Sequence, residues 1–180
     1  MISTEFFPFF YALSRRTGSK EDYLHEFRRD GLSSRGKAIM EALAESSPQV
    51  TRSLKMAVGA QSKTLCREFE KAMVELQGKF YIVKVGERHE PLTFEWNTVD
   101  KAFPKLVKQA ARISPDHARR AILTKYFENQ LMGSVRTIHS LFGWKKQSIY
   151  EVLGHLMKDG VITTGITVDG KDGRHYCFVH

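Results

Sequence analysis

The chain is short of most of the residues that announce a chemistry on sight. It holds two cysteines in 180 residues, Cys66 and Cys177. They stand far apart in the sequence and without metal-ligand spacing, so neither a disulfide framework nor a zinc site is indicated, and no metal is expected. No apolar stretch approaches the ~18 to 20 residues that a membrane span needs, and the opening Met1-Ile2-Ser3-Thr4-Glu5 lacks the basic start of a secretory signal. A cytoplasmic protein without a membrane partner is expected. Also missing are a Gly-rich phosphate loop, a histidine pair at zinc spacing and a Gly-x-Ser-x-Gly elbow. The seven histidines are scattered, and His139 and His155 read as half-buried structural residues. No cofactor is expected, and catalysis has little to stand on.

What the chain does carry is positive charge. Lys and Arg number 28 against 20 Asp and Glu, a net +8, the sign suited to a polyanion such as nucleic acid or to an anionic membrane surface. Residues 1–97 hold +2 of this and residues 98–180 hold +6, so the excess falls mainly in the second half. With 42% hydrophobic residues the chain can bury a core, and its length suits one large or two small domains.

The apolar residues are arranged with period. Phe6 to Leu13 form a run too short to span a bilayer and too apolar to stay in water, which predicts a docking segment. Lys20 to Asp30 place Tyr23, Leu24 and Phe27 on one helical face, with Gly31 as a stop. Residues 1–32 thus read as an N-terminal helical docking segment. Ser33 or Ser34 caps a helix to about Ala44 with Ile39, Met40 and Leu43 at helical spacing, a second helix fits Val50 to Val58, and Ser62 caps a third. In that third helix Leu65, Cys66, Phe69, Met73 and Leu76 recur every three or four residues until Gly78. The period then becomes alternating, with strands at Phe80 to Val85 and Leu92 to Trp96 around a tip from Gly86 to Pro91. Three helices and a β-hairpin are the order of a winged helix.

The order returns. Thr98 to Ile113 read as a packed helical connector, after which Ser114 and Pro115 open a helix to about Asn129. A second helix follows Gly133-Ser134 and stops at Gly143, and a third begins near Trp144 with Ile149, Val152, Leu153 and Leu156 inward. Strands at Val161 to Val168 and Arg174 to Val179 flank the turn Asp169 to Gly173. The expected fold is α+β, mainly α: two tandem winged-helix units, at 33–97 and 114–180, joined by a helical connector at 98–113. The third helices end at Leu76 and Leu156, so one unit occurs twice at a spacing of about 80 residues.

In helix-turn-helix proteins the third helix enters the ~12 Å major groove while flanking basic and hydroxyl groups hold phosphates. The DNA-binding candidates are therefore Ser62, Lys63, Thr64, Arg67 and Lys71 on the first such helix, and Lys145, Lys146, Gln147 and Ser148 on the second. Arg88 at the first hairpin, and Lys171 and Arg174 at the second, stand where a wing would touch backbone or minor groove. The pairs Arg28-Arg29 and Arg119-Arg120 add positive charge, and Lys101, Lys105, Lys108 and Arg112 form a stripe along the connector.

Three stretches, EFEKAMVELQGKFYIVKVG (68–86), HARRAILTKYF (117–127) and IHSLFGW (138–144), resemble bacterial proteins related to the AlkZ-type winged-helix DNA glycosylases. Those enzymes excise alkylated bases and unhook interstrand crosslinks. The resemblance implies a tandem winged-helix array with DNA as the partner; the expected form is a duplex, intact or damaged, and the chain, if DNA-bound, is expected at the nucleoid. It does not bring the activity with it. The glycosylases position water with a short Gln-x-Gln or Gln-x-Asp element at an extruded nucleotide, and neither occurs within these 180 residues. Three functions stay open: a non-catalytic DNA-binding protein in repair or transcription control, a divergent glycosylase using Glu or Asp, and an interaction scaffold or homodimer that docks through Phe6 to Tyr11.

Overall fold

The computed structural model describes residues 2–19, 21–168 and 171–179, and within these the side chains of 166–168 and 171–173 are not described. Asp169, Gly170 and the Lys171 side chain, parts of the expected second turn, therefore lie outside the described residues. The chain divides into a continuous unit, Ser14–Arg112, and a split unit made of Met1–Leu13 with Ile113–His180. Both are α+β, mainly helical, and each carries one three-stranded antiparallel sheet. No helix among the described residues is long and apolar enough to cross a membrane.

The first helix in the chain, α1 (Phe7–Ala12), belongs to the split unit; the continuous unit begins with α2 (Asp22–Arg28) and α3 (Ser34–Glu45). Ser33 opens α3 by accepting the Gly36 N–H at 3.0 Å, a cap worth about 1 kcal/mol. Its hydroxyl also donates to Glu75 at 2.6 Å. After the short strand β1 (Gln49–Val50) come α4 (Thr51–Ala57) and α5 (Lys63–Gly78), the latter capped by Ser62 accepting the Leu65 N–H at 3.3 Å. Ile39, Leu43, Leu54, Phe69 and Leu76 from these three helices interlock in one core, which Tyr81, just before the sheet, and Trp96, within it, close.

The sheet is β2 (Ile82–His89) and β3 (Leu92–Thr98) with β1 on the far edge of β3, in the order β1-β3-β2. The strands run further than their alternation suggests: pairing continues to His89 opposite Leu92, past a bulge between Lys84 and Gly86. The outer residues of β2 are exposed, so the ladder is carried there by backbone bonds with no apolar pattern to betray it. α6 (Val99–Ala102) and α7 (Pro104–Ala110) fold back on the same unit and bury Val99, Val107 and Ala110. Gly18 lets the chain pass α7, because a β-carbon there would lie 2.7 Å from Val107, and its φ is +77°.

The split unit repeats the scheme with α8 (Pro115–Gln130), β4 (Met132–Ser134), α9 (Val135–Phe142), α10 (Lys146–Lys158), β5 (Ile162–Val168) and β6 (Lys171–Phe178), the sheet running β4-β6-β5. In both units the short strand pairs with the last strand. Leu123, Phe127, Ile138, Ile149, Leu153 and Leu156 form its core. The buried edge of α8 is Ala118, Ile122, Leu123 and Phe127. Lys125, on the opposite edge, is exposed and bridged to Glu128 at 2.8 Å.

α1 lies across α8. Phe9 stacks on His117 at 5.9 Å between ring centroids, Phe10 meets Phe142 at 6.3 Å, and Tyr11 is buried. Phe142 in turn stacks on Trp144 at 4.8 Å and takes the inward edge of α9, leaving Leu141 60% exposed.

Leu153→Ala should destabilise the protein by about 2–5 kcal/mol in chemical denaturation, because Leu153 is almost wholly buried. Leu141→Ala should stay within about 0.5 kcal/mol of the parent.

Candidate functional site

Burial of Phe69, Ala72, Met73 and Leu76 turns the opposite edge of α5 to water. That edge carries Lys63, Arg67 and Lys71 at intervals of four, with Thr64 beside them, all exposed. None of the three cations has a carboxylate in ion-pair reach among the described residues. The acidic residues of α5 are answered from α3, α4 and the loop before α3. Glu68 pairs with Arg35 at 3.3 Å, Glu70 with Lys55 at 3.4 Å, and Glu75 with Ser33. Ser62 has its oxygen engaged as the cap.

The first hairpin is different. Arg88 is exposed but donates to Glu95 at 2.6 Å across the strands. Lys84 bonds Glu87 and thereby holds the Glu87 carboxyl below the usual glutamate value. The hairpin's charges are largely neutralised at home. Other basic residues are also engaged: Lys101 donates to the Leu43 and Ala44 carbonyls and to Ser47 at 3.1, 3.3 and 2.8 Å, where the C-terminal end of α3 favours a cation. Arg119 pairs with Asp116, and Arg120 with Asp159. The connector stripe is thereby reduced to Lys105, Lys108 and Arg112, which remain exposed.

The charge divides unevenly between the two units. The continuous unit has 19 basic and 13 acidic residues, +6, and the split unit 9 and 7, +2. Half of the +6 carried by residues 98–180 belongs to residues 98–112, with four basic and one acidic side chain, which fold with the first half.

In the split unit a groove of about 480 Å³ is lined by Arg136, His139, Lys146, Tyr150, Arg174 and Tyr176, and among the described residues no carboxylate lines it. α9 supplies its first two residues, α10 the next two and β6 the last two. Ser134 fixes the start of α9 by accepting the Thr137 N–H at 3.2 Å. Lys145 occupies the N-cap position of α10 and makes no side-chain cap, so the amides of that first turn have no side-chain acceptor. Arg136, Lys145, Lys146 and Arg174 have no ion-pair partner among the described residues. Gln147, by contrast, donates to Glu151 at 3.0 Å, and Ser148 is half-buried.

His139 Nδ1 lies 2.7 Å from the Trp144 carbonyl oxygen. A carbonyl only accepts, so Nδ1 carries the hydrogen and Nε2 is the nitrogen left for a ligand. Arg136, His139 and Tyr176 were not singled out as binding residues by sequence reasoning. The one local signal for Arg136 is its place in the first turn after the Ser134 cap.

A family model described as AlkZ related matches residues 1–143, in agreement with the resemblance carried by the three stretches. The match spans the continuous unit and the elements through α9, and stops before α10. Neither the curated proteins nor the solved structures yield a match.

Two magnetic-resonance measurements check the site's electrostatics. The neutral imidazole of His139 should carry its proton on Nδ1, visible in long-range nitrogen–proton spectra, where an Nε2–H form would contradict the Trp144 bond. Glu87 should titrate below an ordinary glutamate and move back up in Lys84→Ala, since removing the ammonium takes away the group that favours the charged carboxylate.

Proposed function

We propose, starting from the fact that this chain belongs to the AlkZ-related family, that it is a DNA-binding protein of two tandem winged helices, without glycosylase chemistry of its own, acting in DNA repair or transcription control. The observation that carries this reading is the set of cations that, among the described residues, have no acidic partner on the helix before each hairpin: Lys63, Arg67 and Lys71 on α5, and Lys145 and Lys146 at the start of α10. α3 and α4 directly precede α5, α8 and α9 directly precede α10, and a hairpin follows each, the order in which a recognition helix is presented to a major groove. Lysines and arginines on its outer edge would contact phosphates, and the open amides of the first turn of α10 favour an anion.

Within this reading Ser62, Thr64, Gln147 and Ser148 flank the contacts, Arg174 serves the second wing, and Arg88 contributes little because Glu95 already neutralises it. The non-catalytic part of the proposal rests on carboxylates. Those of α5 and α10, Glu68, Glu70, Glu75 and Glu151, are each bonded to a neighbouring side chain, and none lines the groove. A glycosylase that replaced the missing Gln-x-Gln or Gln-x-Asp element with Glu or Asp would need one free to activate water. The scaffold or homodimer reading drew on Phe6 to Tyr11, and that segment is packed against α8 and α9 in its own unit.

Binding to duplex DNA should weaken steeply with salt, because each neutralised phosphate releases counterions at a slope of about 0.9 per contact. Replacing Lys63, Arg67 and Lys71 together by Ala should lower that slope by about two to three, Lys145 and Lys146 together by about one to two, and Arg88 alone by close to zero. An affinity at low salt no better than that of a neutral protein of similar size would remove the DNA reading. Release of free base from alkylated DNA would remove the non-catalytic one.

A further inference from the structure

The helix edges that would meet a duplex are convex, whereas the groove of the split unit is concave. Its volume of about 480 Å³ falls among small-molecule sites, roughly 300–1,000 Å³. It has room for a single nucleotide and none for a double helix. The charge of its walls is also unlike that of a surface tracking a backbone. Arg136, Lys146 and Arg174, from three different elements, line one cavity, and among the described residues no carboxylate lines it to neutralise them.

An internal phosphodiester offers such a site one negative charge. A phosphate monoester carries about −1.5 to −2 at neutral pH and three strong acceptor oxygens, which matches three cations and the open amides at the start of α10. Tyr150, 53% exposed, offers a ring face on which a base can stack. His139 adds Nε2, its Nδ1 being held by Trp144.

We propose that this groove is a receptor for a nucleotide bearing a terminal phosphate monoester, the phosphate held by Arg136, Lys146 and Arg174 and the base laid against Tyr150. The inference rests on the nucleic-acid reading above and adds the part of the strand that is recognised: a phosphorylated end. The same chemistry is presented by a 5′-phosphorylated end, a 3′-phosphorylated end and a free nucleoside monophosphate, so the test has to separate them.

The full chain is titrated into a fluorescent single-stranded oligonucleotide carrying a 5′-phosphate, a 3′-phosphate or hydroxyls at both ends, at one fixed salt concentration. One of the phosphorylated strands should bind at least about tenfold more tightly than the hydroxyl strand, and which one does so identifies the end. The preference should vanish in Arg174→Ala and in Lys146→Ala, both solvent-exposed positions whose thermal midpoints should stay at the parent value. It should survive in a Lys63→Ala, Arg67→Ala double variant that weakens all three strands alike. A deoxynucleoside 5′-monophosphate should compete better than inorganic phosphate, and Tyr150→Ala should erase that difference.

Equal binding of phosphorylated and hydroxyl strands, with salt-dependent duplex binding intact, overturns the receptor and leaves the DNA reading standing. A preference that persists when Arg136, Lys146 and Arg174 are all Ala overturns its location. Inorganic phosphate competing as well as the nucleotide overturns the base contact, and absence of binding to any DNA overturns both readings together.

Discussion

A helix has one period, and burying one edge of it decides what the other edge must do. In α5 the apolar edge built from Phe69, Met73 and Leu76 is locked against α3 and α4, and in α10 Ile149, Leu153 and Leu156 are locked into the core with α8 and α9. With each side chain worth about 1.5–3 kcal/mol of transfer free energy, neither helix can rotate to hide its basic residues. The cations at 63, 67 and 71 stand outward because Leu65 and Phe69 between them pack inward. Core and surface are one decision read from two sides of the same cylinder.

The second level of organisation is electrostatic subtraction. Many of the basic residues have a local partner: Arg35, Lys55, Lys79, Arg119 and Arg120 are each bridged to a carboxylate of their own unit, and Lys101 sits on the end of α3. Surface pairs of this kind add little stability, about 0–1 kcal/mol each. Their larger effect is on the field. They silence much of the nominal charge and leave the outer edge of α5, the start of α10 and the groove walls as places where, among the described residues, positive charge has no carboxylate at contact distance.

The sequence made legible whatever is periodic or marked by a cap. Ser62, Ser114 and Ser134 were readable as helix starts because a hydroxyl before an apolar run has few other uses, and each accepts an N–H from its first turn. The cores of α3, α5 and α10 followed from spacing. Short strands β1 and β4 were not legible, since two or three residues cannot display a period and their pairing partners lie more than 40 positions away. Nor could spacing tell that α6 and α7 join the residues before them, which moved the charge excess from one half of the chain to the other. The groove was half legible. Lys146 and Arg174 were found as cations near a helix start and a hairpin, but Arg136 and Tyr176 became partners only when β4 drew α9 against β6.

The split unit has an implication for how the chain is made. α1 ends at Ala12 and the helix it packs against begins at Pro115, so about a hundred residues separate two pieces of one unit. At a synthesis rate of roughly 5–20 residues per second, Phe9 and Phe10 spend seconds outside the ribosome before α8 exists, while the continuous unit can already close around its own core. During that interval the aromatic segment is an unsatisfied apolar tag, open to chaperones and proteases, and its burial records that translation has passed the start of the last third of the chain.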